Sequence, residues 1–391
     1  MYPQIYLDYN ATTPCDPMVL DAMLPFFGTD FGNPSSSQHT YGWSAKNAIE
    51  EATHLIASTL GISEDEIVYT SGSTEGVNMM LKGVCRKMRH KGNHLITSKA
   101  EHKAILDTCK FLENNGFEIT YLDVDAHGLI SLSDFKGALR KDTILTSLMY
   151  ANNETGVIQP LKAIANLARN NGTLLFCDAT QALGKTVLTE VFETVDFACF
   201  SGHKIYGPKG VGFVYIKNST NAASFDSFIQ GGGQQKGMRG GTLNTPGIVG
   251  LAKAIQLVCS DLSNRIKSFG LLRNRLEEGL LAMEFTALNG KVDQRLPNTT
   301  NISFQYVDGE TLLQALSKSI AVSNGSACNS ASVEPSHVLL AMGVEYSLAY
   351  ASLRISIGRN TTEAEIDRAI SIITKAVGLQ RENNILWERR T

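Results

Sequence analysis

The chain has 391 residues, of which 43% are hydrophobic and 19% are charged, so it can bury a sizeable core in two lobes or in one large α/β domain. Its formal net charge is −3, and its 35 basic and 38 acidic residues are scattered, which gives no electrostatic case for broad binding to nucleic acid or membranes. The N-terminus lacks the pattern of a signal peptide, and no apolar run approaches the ~20 residues that span a bilayer.

Seven cysteines are spread along the chain, and no two of them form a C-x-x-C pair. An odd number at wide spacing indicates neither a disulfide framework nor a zinc cluster. We therefore expect a reducing, cytoplasmic setting and no bound metal. The cysteines are Cys15, Cys85, Cys109, Cys177, Cys199, Cys259 and Cys328.

From about residue 64, short apolar segments alternate with longer helical patterns, which is typical of a mostly parallel sheet. Several of these segments end in polar residues, and ligands of such sheets bind at the carboxyl ends of the strands. We therefore expect these polar side chains to gather at one edge of the sheet. The predicted strands are Glu66–Thr70, His94–Ser98, Phe117–Asp123, Thr143–Tyr150, Thr173–Cys177, Asp196–Phe200 and Val211–Ile216.

After about residue 260 the pattern changes to that of a smaller α+β unit. The predicted division is a large domain over residues 16–260 and a small domain made of residues 1–15 and 261–391. The elements predicted in the second part are a helix over Asp261–Met283, a strand over Asn301–Gln305, a helix from Gly309, a small-residue loop over Ser323–Ser332, a strand over Ser352–Ile357 and a last helix from Thr362.

The segment Ser201–Gly210 places Lys204 on a turn between two predicted strands. A partly buried lysine amine can form a Schiff base with an aldehyde cofactor. Ser201 and His203, beside it, could donate hydrogen bonds to a phosphate. Short motifs often match by chance, so the alternative interpretation is a glycine-rich surface hairpin with solvated lysines.

Asp178 closes an apolar strand, and Gln181 follows three residues later. Pyridoxal phosphate acts as an electron sink only while its ring nitrogen stays protonated, and an aspartate partner serves that purpose. Gln181 could then bond the phenolic oxygen of the cofactor. A lone aspartate at a strand end is more often a helix N-cap, but its pairing with the lysine motif favours the cofactor.

The segment Thr70–Glu75 leaves a strand and enters a helix predicted to run to about Arg89. Its hydroxyls, including those of Ser73 and Thr74, its backbone amides and the helix dipole would form a phosphate cradle. The spacing matches neither a P-loop nor a dinucleotide fingerprint. The alternative is an ordinary cap for that helix.

Three further polar residues are candidates for contacts to the cofactor or the substrate. His102 follows a strand, where an imidazole could stack on the cofactor and move protons, although an isolated surface histidine is the default. Asn153 is similarly placed. Arg354 is a charge inside an apolar strand, which a carboxylate clamp or a structural ion pair would each explain.

Ten short segments carry a family resemblance when they are taken in order: Tyr6–Pro14, Gly32–Ser36, Thr70–Glu75, Glu101–Lys103, Asn152–Glu154, Asp178–Gln181, Ser201–Lys204, Gly231–Gly233, Met238–Thr242 and Gly325–Cys328. Together they resemble cysteine desulfurases of the IscS/NifS type, which are class V aminotransferase-like enzymes that use pyridoxal 5′-phosphate. The resemblance covers nearly the whole chain. It implies the α/β architecture of fold-type-I transferases, with a mostly parallel seven-stranded sheet in the large domain.

The resemblance also implies roles for the candidate residues. Lys204 carries the cofactor, Asp178 pairs with its ring nitrogen and His102 stacks on its face. Two amides hold its polar edge, five side chains bind its phosphate, one of them across a homodimer interface, and two residues bind the substrate carboxylate. The two amides are Gln181 and Asn153. The phosphate ligands are Ser73, Thr74, Ser201, His203 and, from the partner, Thr242. The substrate carboxylate is bound by Asn33 and Arg354.

Cys328 matches the cysteine that accepts sulfur in this family. The implied reaction converts L-cysteine to L-alanine and leaves a persulfide on Cys328, whose loop resembles the long, mobile loop of the housekeeping group. The sulfur would pass to acceptor proteins for iron–sulfur cluster assembly, tRNA thiolation or DNA phosphorothioate modification, with no direct contact to nucleic acid.

Two departures from the housekeeping pattern concern the acceptor. Asn324 and Asn329 stand where small hydroxyl residues are more usual, and the chain ends soon after Leu386–Glu388. These departures predict a dedicated acceptor, such as a nucleic-acid sulfur-modification protein, beside or instead of the iron–sulfur scaffold.

Two rival functions fit parts of the sequence. An aminotransferase on the same scaffold would need no loop thiol, so Cys328 argues against it. A non-catalytic pyridoxal-phosphate protein would not need Lys204, Asp178 and His102 together.

Overall fold

The computed structural model describes residues 4–220, 225–324 and 334–388. Among these residues no helix combines the length and the apolar character needed to cross a membrane. The strands are β1 Ile5–Tyr6, β2 Ile67–Thr70, β3 His94–Ser98, β4 Glu118–Leu122, β5 Thr143–Met149, β6 Leu174–Asp178, β7 Phe197–Ser201, β8 Gly212–Ile216, β9 Thr286–Leu288, β10 Thr299–Phe304, β11 Ile320–Ala321 and β12 Ser352–Ser356.

The helices alternate with these strands through the first part of the chain. They are α1 Pro17–Met23, α2 Thr40–Leu60, α3 Ser73–Met88, α4 Lys103–Glu113, α5 Leu132–Ala138, α6 Leu161–Asn171, α7 Thr189–Thr194, α8 Thr245–Cys259, α9 Leu262–Leu281, α10 Gly309–Leu316, α11 His337–Ala341, α12 Tyr346–Tyr350, α13 Glu363–Glu382 and α14 Ile385–Glu388.

A seven-stranded sheet forms the centre of the first part, in the order β2-β8-β7-β6-β5-β3-β4. All its neighbouring strands run parallel except β8, which is antiparallel to both β2 and β7. The predicted α/β fold with a mostly parallel seven-stranded sheet is therefore confirmed. Each of the seven predicted strands is present, with ends shifted by no more than one residue.

The central strands β5 and β7 are buried at every position because both faces of the sheet are covered. Successive side chains of a strand point to opposite faces. In β6, Leu175 and Cys177 pack into one core cluster, whereas Phe176 packs into the cluster on the other face. In β7, Phe200 packs into the first of these clusters and Phe197 packs into the second.

The topology brings several strand ends to one edge of this sheet. Because β2 and β7 are each antiparallel to β8, they run in the same direction as each other and as the parallel strands β3, β5 and β6. The carboxyl ends of all five strands therefore lie on the same side. The chain leaves three of these ends into polar segments, Ser71–Glu75, Lys99–Lys103 and Ala179–Gln181.

A second, three-stranded antiparallel sheet in the order β12-β10-β9 packs with α9 and α13 around a separate apolar core. The N-terminal strand β1 pairs in parallel with β11, so the first residues contact this later part of the chain, as expected. The domain division after residue 260 stays a prediction.

The last predicted helix begins where the sequence placed it. Thr362 is its N-cap, and Thr362 and Glu365 form a reciprocal capping box at the start of α13. A further turn, α14, follows and was not predicted. Most of the predicted loop Ser323–Ser332 lies outside the described residues.

Candidate active site

A pocket of about 680 Å³ opens at the shared carboxyl edge of the seven-stranded sheet. It brings together residues that are up to 344 positions apart in the chain, from Asn10 to Arg354. The sequence-predicted residues that line it are Ser73, Thr74, His102, Asn153, Asp178, Gln181, Ser201, His203, Lys204 and Arg354.

Lys204 lies on a single 3-10 turn, Gly202–Lys204, directly after β7. Its Nζ donates hydrogen bonds to the backbone carbonyls of Asn10 at 2.6 Å and Ala11 at 2.8 Å. Lys204 is half-buried, whereas Lys209 in the same segment is exposed. This segment is therefore not a solvated surface hairpin, and Lys204 is the half-buried one of its two pocket-lining lysines.

Asp178 is the last residue of β6 and is only 8% exposed. Its Oδ1 accepts hydrogen bonds from the Thr180 amide at 3.0 Å, from the Thr180 hydroxyl and from the Cys199 thiol at 3.6 Å. Residues 180–185 form turns, so the alternative role of helix N-cap does not apply. No described residue donates a hydrogen bond to Oδ2, so this oxygen remains for a ligand in the pocket.

Gln181 is buried at the floor of the pocket. Its Nε2 donates to the backbone carbonyl of Asn10 at 3.0 Å, the same carbonyl that holds Lys204. The N-terminal segment therefore connects two of the predicted site residues, although it is separated from them by more than 160 residues.

The predicted phosphate cradle surrounds the N-terminus of α3. Gly72 has a φ of 146°, a conformation that favours glycine, and a Cβ there would come within 3.3 Å of Ser201 Oγ. Ser73 and Thr74 open the helix, where free backbone amides and the helix dipole favour an anion. Glu75, in the same turn, is neutralised by Arg239 at 2.7 Å.

His203 lines the same pocket as this cradle. Its Nδ1 lies 3.1 Å from the Thr12 hydroxyl. Burial is the main cause that lowers the pKa of His203 to about 4, and the neighbouring Lys204 lowers it further. The ring is therefore neutral at pH 7, and when Nδ1 accepts from Thr12, Nε2 carries the proton that can be donated to a phosphate oxygen.

This lowered pKa predicts a pH-dependent stability of the cofactor-free protein. Between about 4 and the ordinary value of 6.5, unfolded chains bind a proton at residue 203 that the folded protein does not. The free energy of unfolding should therefore fall as the pH is lowered through this window. His203→Gln should flatten this slope, measured by urea unfolding at several pH values, and the exposed His90→Gln should not. Equal slopes in all three proteins would contradict the prediction.

His102 is the N-cap of α4, and its Nδ1 accepts a hydrogen bond from the Ala104 amide at 3.1 Å. Burial lowers the pKa of His102, and the nearby Asp178 partly opposes that shift. The neutral ring therefore carries its proton on Nε2. His102 is thus a pocket-lining residue that can donate one proton, and not an isolated surface histidine.

Arg354 lies buried in β12 and forms a structural ion pair, which is one of its two predicted explanations. Its Nη2 forms an ion pair with Asp8 Oδ1 at 2.8 Å, and its Nη1 donates to the Asn153 carbonyl at 3.4 Å. Arg354 Nε is buried and has no acceptor among the described residues. The guanidinium is therefore held in place at the pocket by a structural ion pair, and the carboxylate clamp stays a prediction.

Two of the predicted site residues that the structure describes do not line this pocket. Asn33 is exposed, and its side chain accepts the Ser35 amide at 2.9 Å. Thr242 is also exposed. Cys328 lies outside the described residues. The single chain therefore supplies ten of the thirteen predicted residues to one site.

The other six cysteines are poor candidates for sulfur chemistry. Burial raises the pKa of all of them, and four have no exposed surface, as expected from their apolar patterns. The thiolate is the nucleophilic form, so these thiols are largely unreactive at neutral pH. The four buried residues are Cys85, Cys109, Cys177 and Cys199, and the two half-buried residues are Cys15 and Cys259.

The sequence did not single out several residues that line the pocket. Asn10 and Ala11 act through backbone carbonyls, which leave no side-chain signature. His337, whose Nε2 lies 2.9 Å from the Glu101 carbonyl, enters from α11. The one available signal was the N-terminal segment Tyr6–Pro14, which carries part of the family resemblance.

Comparison with known proteins identifies the family. A model of the class V aminotransferases matches residues 5–369. A cysteine desulfurase IscS of Klebsiella pneumoniae subsp. pneumoniae is 47% identical over 386 residues, which cover 98% of this chain and 95% of that protein. The chain belongs to the cysteine desulfurases of the class V aminotransferase family.

Solved structures agree with this assignment. A NifS-like protein superposes on the cysteine desulfurase with a TM-score of 0.88 at 37% identity, covering 96% of this chain and 99% of that chain. A structure of SspA in complex with cysteine has a TM-score of 0.78 at 37% identity and covers 90% of this chain and 98% of that chain. The family predicted from the sequence is confirmed.

The cofactor of this cysteine desulfurase is pyridoxal 5′-phosphate. The pocket fits it on three counts. Asp178 Oδ2 remains for a protonated ring nitrogen, and Lys204 supplies an amine for the aldehyde. Gly72 leaves space beside Ser201 that a side chain would fill, next to the helix N-terminus suited to a phosphate.

Proposed function

We propose that Lys204 binds the cofactor covalently, that Asp178 holds its ring nitrogen protonated, and that Cys328 receives the sulfur of the substrate. The observation that carries this assignment is the convergence, in a single pocket, of one half-buried lysine amine and one carboxylate oxygen to which no described residue donates. The phosphate-compatible start of α3 adjoins them.

Bound pyridoxal phosphate supplies an electron sink for the charge left when the substrate loses its α-proton. The Lys204 amine, which would hold the cofactor in the resting enzyme, would be the base that removes this proton. In the present structure this amine donates hydrogen bonds to the backbone carbonyls of Asn10 and Ala11, which would hold the amine whenever it is not bonded to the cofactor. Asp178 stabilises the cationic ring through Oδ2.

The substrate is oriented by its carboxylate. Arg354 lines the pocket and is fixed by Asp8, and Asn33 would complete the proposed carboxylate site. His102 presents Nε2–H, so it can donate a proton at the substrate sulfur or receive one there after it has donated.

The sulfur transfer balances without an external oxidant or reductant. The Cys328 thiolate attacks the substrate sulfur, the carbon–sulfur bond of the substrate breaks, and the β-carbon takes up a proton. Cysteine and one protein thiol thus give alanine and one protein persulfide. The exposed position expected for Cys328 contrasts with the buried thiols elsewhere in the described chain.

We propose that the active unit is a homodimer in which each site receives Thr242 from the partner. Large apolar side chains are exposed around Asn33: Phe27 and Phe31 are each 66% exposed, and Trp43 is 50% exposed. Exposed apolar surface of this kind is typical of an interface. Asn33 and Thr242 are also exposed and lie outside the pocket of their own chain, as expected of residues that act at a subunit boundary.

Hybrid dimers test this arrangement. Lys204→Ala subunits and Thr242→Glu subunits should each be inactive as homodimers, because one lacks the amine and the other places a negative charge beside the phosphate. A hybrid purified through two different tags should have one intact site of two. We expect about half of the wild-type rate of alanine release from cysteine.

A matched hybrid provides the control. Lys204→Ala combined with Asp178→Ala should stay inactive, because both residues belong to the pocket of one chain and neither hybrid site is intact. Activity in that control, or none in the first hybrid, would contradict the shared site. Full activity of a monomer at nanomolar concentration would also contradict it.

We propose that the persulfide sulfur passes to an acceptor protein, with an iron–sulfur scaffold as the first candidate. The support is the 46–47% identity to the IscS desulfurases over 98% of the chain. The asparagines that predicted a dedicated acceptor give that alternative little support, because Asn324 is only 7% exposed and Asn329 lies outside the described residues. Recovery of a different protein in pull-downs from native extract would favour the dedicated acceptor.

A further inference from the structure

Lys185 is a buried lysine beneath the cofactor pocket that the reaction does not use. It is 6% exposed and lies four residues after Gln181 in the turns that follow β6. Its Nζ donates to Gln181 Oε1 at 2.6 Å and to Asn10 Oδ1 at 3.1 Å. A buried amine is costly unless it is hydrogen-bonded, so this position requires an explanation.

The surroundings of Lys185 favour its neutral form. Burial lowers the pKa of Lys185 well below its ordinary value, and the nearby cations Lys204 and Arg354 lower it further. No carboxylate is within hydrogen-bonding or ion-pairing distance of its Nζ among the described residues. A neutral amine has two N–H groups, and the two amide oxygens accept both of them.

These contacts fix which way the Gln181 amide faces. Lys185 directs one N–H at Gln181, and the side-chain oxygen of Gln181 accepts it at 2.6 Å. The Asn10 carbonyl can only accept, so the amide nitrogen must point there. The second N–H of Gln181 is then the group that this side chain can offer to the pocket, and its oxygen is turned away.

We propose that Lys185 is a positioning residue that holds the Gln181 amide with its N–H toward the phenolic oxygen of the cofactor. The proposal rests on the proposed function, in which Gln181 contacts that oxygen. A negatively charged phenolic oxygen is stabilised by an N–H donor and repelled by a carbonyl oxygen, so the orientation of this amide affects both the affinity and the charge of the cofactor. Lys185 acts through Gln181 and touches neither substrate nor cofactor.

The test replaces Lys185 by methionine, which has a similar shape and no donor. Titration of the cofactor-depleted protein with pyridoxal phosphate, followed by absorbance, should give a dissociation constant raised about tenfold, the effect of one lost hydrogen bond to a charged acceptor. The pH midpoint of the visible absorption change of the bound cofactor should rise, because its phenolic oxygen then holds the cofactor's proton more tightly. Lys185→Gln, which retains a donor, should lie closer to wild type in both measurements.

Asn298 offers a matched control. It is buried and donates to the same Asn10 Oδ1 at 3.2 Å, but it does not contact Gln181. Asn298→Ala should therefore leave both measurements within about twofold of wild type. Equal effects of K185M and N298A would overturn the proposal, because they would indicate general loosening around Asn10.

Variants of Gln181 separate the proposal from the proposed function. Q181A alone should weaken cofactor binding, and adding K185M to Q181A should cause no further loss. If Q181A binds the cofactor like wild type, both the Gln181 assignment and the Lys185 proposal are wrong. If Q181A weakens binding but K185M does not, or if the two effects multiply, only the Lys185 proposal is wrong. Should K185M not fold, Lys185→Leu takes its place with the same expectations.

Discussion

Replacing Cys328 by serine is expected to reduce alanine release from cysteine by at least about 10²-fold while the cofactor stays bound. A hydroxyl cannot accept the substrate sulfur as a thiolate does, so the carbon–sulfur bond has no route to cleavage. Binding of the cofactor should be unaffected, because the described pocket is built from residues elsewhere in the chain. The substrate should therefore still change the visible absorption of the bound cofactor.

Mass spectrometry after a cysteine pulse locates the persulfide. The wild-type peptide that contains Cys328 should gain the mass of one sulfur atom, and this gain should be absent in Cys328→Ser. Cys15→Ser and Cys259→Ser are matched controls, because these two thiols are half-buried rather than fully buried. Near-normal alanine release by Cys328→Ser, or a persulfide on Cys15 or Cys259 in the wild type, would refute the assignment.

Replacing Lys204 by alanine is expected to have the second large effect. The protein should lose the covalent bond to pyridoxal phosphate and the base that removes the α-proton. General base catalysis alone contributes roughly 10²–10⁴-fold, so the loss in the rate of alanine release should be at least of that order. Asp178 and the phosphate cradle remain, so the variant should still bind the cofactor, but reversibly.

Borohydride treatment distinguishes the two modes of binding. In the wild type it should fix the cofactor to the peptide that contains Lys204, and in Lys204→Ala dialysis should remove the label. Lys209→Ala is the matched control, since this lysine lies five residues further along and is exposed. Fixation on Lys209 or Lys103 in the wild type would show that the amine has been wrongly assigned.

Much of the site was predictable because strand ends have a local signature. Most strands of the seven-stranded sheet contain a short apolar run that is visible in the sequence, and Asp178 and Lys204 stand at or just after such runs. Parallel strands bring their carboxyl ends to one edge, so placement at one pocket follows from the class of fold. The identity of the chemistry came from the ordered set of segments and was confirmed by the family comparison.

Contacts between distant segments were decided by the tertiary structure alone. Asn10 lies more than 160 residues before Gln181 and Lys204, and its backbone carbonyl holds both side chains. The sequence left the role of Arg354 open between a clamp and an ion pair, and the fold placed Asp8 beside it from the other end of the chain.

Lys185 shows the same division between sequence and structure. The sequence presents it as one lysine among many charged residues, which are mostly solvated. Only the packing of the turns after β6 against the N-terminal segment buries its amine beneath the pocket and gives it two amide oxygens as partners. Local patterns determine which residues enter a strand or a turn, whereas burial and hydrogen-bond partners depend on segments that meet only when the whole chain has folded.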